Sequence, residues 1–139
     1  MADPVPAHSS PRRRWVLVGS ILLLICVQFA SAADDALDEV NAARAARGLP
    51  PFAKDDGLTT AAKAAADFRA ANLIAGHVGG QLGDFVFLPE GSTATAAGCA
   101  AWNPLWGWGA CCTYDQYTTA GAAVTTGKDG RRYMHLFVR

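Results

Sequence analysis

What the chain is short of narrows its chemistry before any motif is read. It carries no net charge, with 12 Lys and Arg against 12 Asp and Glu, so a basic nucleic-acid binder is not indicated. Its three histidines include no His-x-x-x-His and no Glu-x-x-His, so a helical frame for a hydrolytic metal is missing. Beyond residue 32 the only serine is Ser92, and no Gly-x-Ser-x-Gly elbow occurs, which argues against a serine triad. Cys-x-x-Cys is absent as well, and with it the thioredoxin type of redox pair. What is plentiful is apolar: 51% of 139 residues, against 17% charged, which predicts one packed domain rather than disorder.

The apolar residues are unevenly spread. Arg12-Arg13-Arg14 stand ahead of a greasy run from Trp15 to Ala30, and Ala30-Ser31-Ala32 follows, which is the layout of a secretory signal cut after Ala32. A membrane span needs about twenty apolar residues, and this run is broken by Gly19, Ser20 and Gln28, so cleavage is favoured over an uncleaved anchor. The arginines also fit a loose twin-arginine export pattern. Residues 1–32 are therefore expected to be a signal peptide and 33–139 the mature domain, secreted or periplasmic. The alternative is membrane anchorage through the N-terminal segment.

Within the domain, Asp34 or Asp35 can cap a helix whose face is Leu37, Val40, Ala43 and Ala46, with Gly48 as its stop and Pro50-Pro51 beyond. Asn41 falls beside that face, and if it is buried its amide must find loop backbone. Asp56 can cap a second, longer helix. Leu58, Ala61, Ala62, Ala65 and Phe68 make its inner face, Lys63, Asp67 and Arg69 fall off that line, and Gly76 closes it so that His77 emerges at a turn. After a glycine-rich loop, Asp84 to Leu88 reads as a short strand or an apolar plug, and Pro89 ends it. Ser92 to Ala101 suits a short helix with Cys99 near its end. Trp102 to Cys112, punctuated by glycine and proline, reads as an aromatic loop. Tyr117 to Thr126 and Tyr133 to Val138 flank Gly127-Lys128-Asp129-Gly130, the signature of a hairpin.

Asp38-Glu39-Val40-Asn41-Ala42-Ala43-Arg44, Gly48-Leu49-Pro50-Pro51-Phe52, Asp56-Gly57-Leu58 with Ala61-Ala62, and Gly76-His77 follow one another in an order that resembles the first half of the CAP superfamily. That superfamily contains the cysteine-rich secretory, antigen 5 and pathogenesis-related class 1 proteins and the bacterial SCP-like domains. The ending Tyr117, Ala120-Gly121-Ala122-Ala123, Asp129-Gly130-Arg131 and Tyr133-Met134-His135-Leu136-Phe137 is similar to that family's last two strands. The resemblance implies an α+β fold, a small α-β-α sandwich with an antiparallel sheet ending in a C-terminal hairpin. It also implies a cleft with two histidines and two acids, sometimes around a divalent metal. His77 matches the first histidine. Residues 106–116, where the second would fall, hold none, and Glu90 meets one acidic position but is followed by Gly91 where the family has asparagine. The tetrad is incomplete, so no metal, no cofactor and no catalytic residue is assigned.

The residues that remain as candidates are His77, Glu90 and His135 for a cleft, and Trp106 and Trp108, beside Trp102, for a stacking surface. For each there is a plainer role: a helix-terminal cap for His77, a core position for His135, and cover for the interior for the tryptophans. Cys99 is expected to pair with Cys111 or Cys112, closing a loop worth about 3 kcal/mol. The function implied is an exported, non-catalytic CAP-like domain that binds a small apolar or glycan ligand or a protein partner. A residual metal-dependent hydrolase and a structural envelope protein are the alternatives.

Overall fold

The computed structural model describes residues 35–80 and 82–139, so the expected signal peptide at 1–32 lies outside the described residues. Helix α1 spans Ala36–Ala45, and the Asp35 side chain caps it by accepting from the Leu37 N–H at 3.2 Å. Leu37 and Val40 are buried as their spacing predicts, but the next inward position is Arg44, while Ala46 is exposed. Gly48, at φ 70°, then reverses the chain. Asn41 satisfies both halves of its amide on one loop residue: Phe52 N–H donates to Oδ1 at 2.8 Å and Nδ2 donates to the Phe52 carbonyl at 3.2 Å.

Helix α2 spans Asp56–Asn72, and its cap is Asp55 rather than Asp56, with Oδ1 accepting from Leu58 N–H at 2.8 Å. Its buried stripe is Leu58, Ala61, Ala62, Ala65, Ala66, Arg69 and Ala70. Phe68, expected inside, is 43% exposed, and Arg69, expected outside, is fully buried. The stripe continues from Ala65 by four residues and not three, because a helix of 3.6 residues per turn lying along a sheet drifts across a strict heptad. The helix closes at Leu73, held left-handed at φ 56°, rather than at Gly76.

Strands β1 (Ala53–Lys54), β2 (Ala96–Trp102), β3 (Thr119–Thr126) and β4 (Arg132–Val138) form one sheet in the order β1-β3-β4-β2. The expected hairpin is β3–β4, in antiparallel register from Ala120 with Val138 to Thr126 with Arg132. The sheet is mixed rather than wholly antiparallel, because the two-residue β1 runs parallel to β3. The expected helix over Ser92 to Ala101 is instead strand β2, paired antiparallel with β4 along its whole length, with Cys99 opposite His135. Alanine favours helix locally, but hydrogen bonding to β4 supplies what an isolated helix would have to make alone.

Alternation along β4 assigns the layers. Met134, Leu136 and Val138 join Leu37 and Val40 of α1 in one core cluster, whereas Phe137 joins Leu58, Ala61 and Ala65 of α2 in the other. The fold is thus α+β, with α1 and α2 on opposite faces of the sheet. Residues Gly83–Phe87 form a 3-10 helix rather than a strand, but they do plug the α2 layer, Phe85 packing 6.2 Å from Phe137 and Phe87 5.6 Å from Phe68. Among the described residues no helix is long and apolar enough to cross a membrane.

Arg69 ties these layers together. Its guanidinium donates to the carbonyls of Ala75 (2.6 Å), Gly76 (2.8 Å), Ala100 (3.2 Å) and Met134 (2.6 Å), joining α2, the turn after it, β2 and β4. Arg69→Met fills the volume of the aliphatic stem but removes the charged donor that all four carbonyls accept from. We expect it to cost on the order of 3–5 kcal/mol in urea unfolding; a loss below about 1 kcal/mol would show that water replaces the guanidinium freely.

Candidate thiol, histidine and carboxylate site

The turn that Arg69 holds delivers His77. From there the chain folds back through Gly79 and Gly80, both at positive φ, and Gly83 passes so close to the Val78 carbonyl that a Cβ would lie 2.0 Å from its oxygen. The closure brings Asp84 back onto His77. Asp84 is buried: Oδ1 accepts from Val78 N–H at 2.8 Å, and Oδ2 meets Nδ1 of the His77 ring. A hydrogen bond at Nδ1 to a carboxylate leaves Nε2 as the acceptor nitrogen of the neutral ring. Facing that nitrogen, at 3.8 Å, is Sγ of Cys111.

Cys111 comes from the aromatic loop that wraps the free edge of the sheet. Its backbone lies on β2 at Gly98, where a Cβ would stand 1.7 Å from the Cys111 carbonyl oxygen, so only glycine permits the approach. The next residue, Cys112, adopts φ 67°, a conformation that costs a residue with a β-carbon roughly 1–2 kcal/mol. The surroundings enforce it. Trp108 Nε1 donates to the Thr113 hydroxyl at 2.8 Å, and the buried Arg44 donates to the carbonyls of Thr113 (2.7 Å) and Asp115 (2.9 Å) while stacking on Phe52. Strained backbone that its neighbours over-determine is characteristic of positions where geometry matters for chemistry.

The three thiols are not equivalent. Burial pushes Cys99 up to about 11 and Cys112 up to about 12, so both stay protonated at neutral pH, whereas Cys111 is exposed. All three are free, and the disulfide expected from Cys99 is not formed: the Cys111 thiol is directed at His77 and the Cys112 thiol at the Ala97 carbonyl, 3.7 Å away.

His135 completes the cluster from β4. It is fully buried, its ring 4.8 Å from that of Phe137, and neither ring nitrogen has a hydrogen-bond partner among the described residues. Its Nε2 lies 3.6 Å from Oδ2 of Asp84, beyond hydrogen-bonding reach. Burial holds its pKa down to about 4, against the partial opposition of the Asp84 carboxylate, so the ring is neutral at pH 7.

Of the residues singled out from sequence, then, His77 and His135 meet at one carboxylate. That carboxylate is Asp84 and not Glu90, which is exposed and joined to neither histidine by a hydrogen bond or ion pair. Trp108 supports the Cys111 segment from inside, while Trp106, earlier in the same loop, is 70% exposed. Sequence reasoning missed Asp84 and the role of Cys111. The available signal was the acid nearest His77 after a run of glycines able to fold the chain back. No group of three His, Cys, Asp or Glu side chains among the described residues is arranged to hold a metal ion. Searches against protein-family models and curated protein sequences find no match for this chain.

The depressed pKa of His135 has a measurable consequence. The unfolded chain, with an ordinary histidine near 6.5, binds a proton that the folded chain refuses until about pH 4, so the stabilisation is full above about 6.5 and is lost as pH falls toward 4. The expected loss is on the order of 3 kcal/mol. Urea unfolding of wild type and His135→Phe across this window should show the variant with the shallower decline. Parallel declines would mean that His135 titrates normally in the fold.

Proposed function

We propose that this chain is an exported domain that carries out thiol-dependent acyl transfer, with Cys111 as nucleophile, His77 as its base and Asp84 as the group that fixes the His77 tautomer. The observation that carries it is the unbroken line from the Cys111 thiol through His77 to a buried carboxylate, a nucleophile, base and orienter contributed by three separate segments. Export is supported by the N-terminal layout of basic, apolar and small residues. The CAP-like order of motifs is compatible with it: the stretch 106–116, which lacks that family's second histidine, presents Cys111 to His77 instead.

The chemistry follows from the geometry. His77 Nε2 takes the thiol proton, and the sulfur adds to an acyl carbonyl carbon. The adduct collapses to a thioester as His77 returns the proton to the departing alcohol or amine. Water or a second nucleophile, deprotonated by the same nitrogen, then cleaves the thioester and frees the thiol. Asp84 need not change charge. Its carboxylate keeps the ring oriented and places a negative charge beside the imidazolium formed when the thiol ionises. Arg69, within electrostatic reach of Cys99, Asp84 and Cys111, adds a fixed positive charge to this neighbourhood.

Two measurements on the full chain test this. Iodoacetamide at pH 7, read by peptide mass spectrometry, should label Cys111 and spare Cys99 and Cys112, and His77→Gln should slow that labelling by at least about tenfold. Turnover of an activated ester such as p-nitrophenyl acetate should vanish in Cys111→Ala and fall by about 100-fold or more in His77→Gln. Turnover that survives removal of the sulfur, or labelling indifferent to His77, would refute the assignment.

A further inference from the structure

A second candidate site lies where the aromatic loop meets the β3–β4 turn. There Trp102, Asn103 and Trp106 on one side, and Asp129, Gly130 and Arg131 on the other, enclose a groove of about 460 Å³, within the range that holds small ligands. The two indoles form a corner, with ring centroids 6.1 Å apart and planes inclined at 59°. Trp102 is fixed, its Nε1 donating to the Gly107 carbonyl at 2.7 Å and its ring lying where a Cβ on Gly109 would be. Trp106 is the free wall, in a short 3-10 turn capped by Asn103 Oδ1, which accepts from Leu105 N–H at 2.9 Å.

The opposite wall is also held in place. The Asp129 carboxylate accepts from the Tyr133 hydroxyl at 2.7 Å and from the Arg131 N–H at 3.2 Å, and the Arg131 Nε stands 3.8 Å from it. One acid and one base at that separation give the wall no net charge, so neither an anion nor a cation is selected. What such a pair can satisfy is a ligand rich in hydroxyls, each able to donate to the carboxylate and accept from the guanidinium. What an exposed indole offers is a flat apolar face. A ligand that is apolar on its faces and hydroxylated on its rim meets both demands.

We infer that this groove binds a neutral oligosaccharide of equatorially substituted pyranose rings, one ring stacking on Trp106 with its hydroxyls reaching Asp129 and Arg131. The groove does not depend on the thiol chemistry. Trp102 lies four residues further along β2 than Gly98, against which Cys111 packs, a separation of roughly 13 Å.

The full chain titrated with cellohexaose and with chitohexaose, followed by tryptophan fluorescence and calorimetry, tests the inference. The expected result is saturable binding of at least one of them at about 1 mM or below, weakened at least about tenfold in Trp106→Ala and several-fold in Arg131→Ala. The labelling rate of Cys111 should be the same in both variants as in wild type. Absence of saturation up to about 10 mM with both sugars would overturn the proposal, as would undiminished binding by Trp106→Ala. Partition of the chain onto phosphatidylcholine vesicles without sugar binding would also overturn it, assigning the exposed Leu105 and Trp106 to a lipid surface instead.

Discussion

A guanidinium sealed inside an alanine-rich domain is the constraint on which the rest turns. Arg69 sits with no exposure between α2 and the sheet, and burial draws its pKa down from the ordinary arginine value, yet a guanidinium remains charged in any protein environment. A charge in that place is tolerable only if its donors are matched, and the carbonyls of Ala75, Gly76, Ala100 and Met134 match them. Those four carbonyls come from three stretches of the chain, the turn after α2, β2 and β4. Satisfying them therefore fixes where the turn before His77 sits relative to β2 and β4, and His77 is placed by an interaction in which it takes no part. Arg44 does the same on the other side of the sheet, anchoring Thr113 and Asp115 just beyond the Cys111-Cys112 pair.

Small side chains make this arrangement possible. Ala61, Ala62, Ala65 and Ala66 on α2 face Ala97 and Ala123 on the sheet, so the layers approach closely and each long side chain between them is conspicuous. At Gly121 the approach is close enough that a Cβ there would lie 2.0 Å from the Thr59 nitrogen. A thin layer leaves little room for water. The same thinness that excludes solvent from His135 lets Asp84 be buried beside it, with only His77 bridging from that carboxylate toward the exposed Cys111.

The separation of roles among like residues follows from burial. Two histidines share one carboxylate, but His77, with a quarter of its side chain accessible, can exchange protons with solvent and thiol, whereas His135 is enclosed and neutral. Three cysteines occupy one neighbourhood, but desolvation keeps the protons on Cys99 and Cys112. The sequence offers all of these as candidates, and depth below the surface distinguishes them.

How much was legible beforehand depends on the range of the interaction. The Asp35 cap of α1, the inward faces of Leu37, Val40, Leu58 and Ala61, the Asn41 amide and the Asp-Gly hairpin rest on contacts with near neighbours, which periodicity and side-chain chemistry encode directly. Where a distant partner decides, local preference misleads. The alanine run at Ala96–Trp102 becomes a strand because β4 pairs with it, Arg69 turns inward because four carbonyls await it, and Gly76 yields the helix stop to Leu73. The sequence by itself determined the helices α1 and α2 and the β3–β4 hairpin. Only the tertiary structure decided that Asp84 and Cys111 would meet His77 on either side, because each approach depends on a backbone contact, at Gly83 and at Gly98, that exists only once the chain has closed.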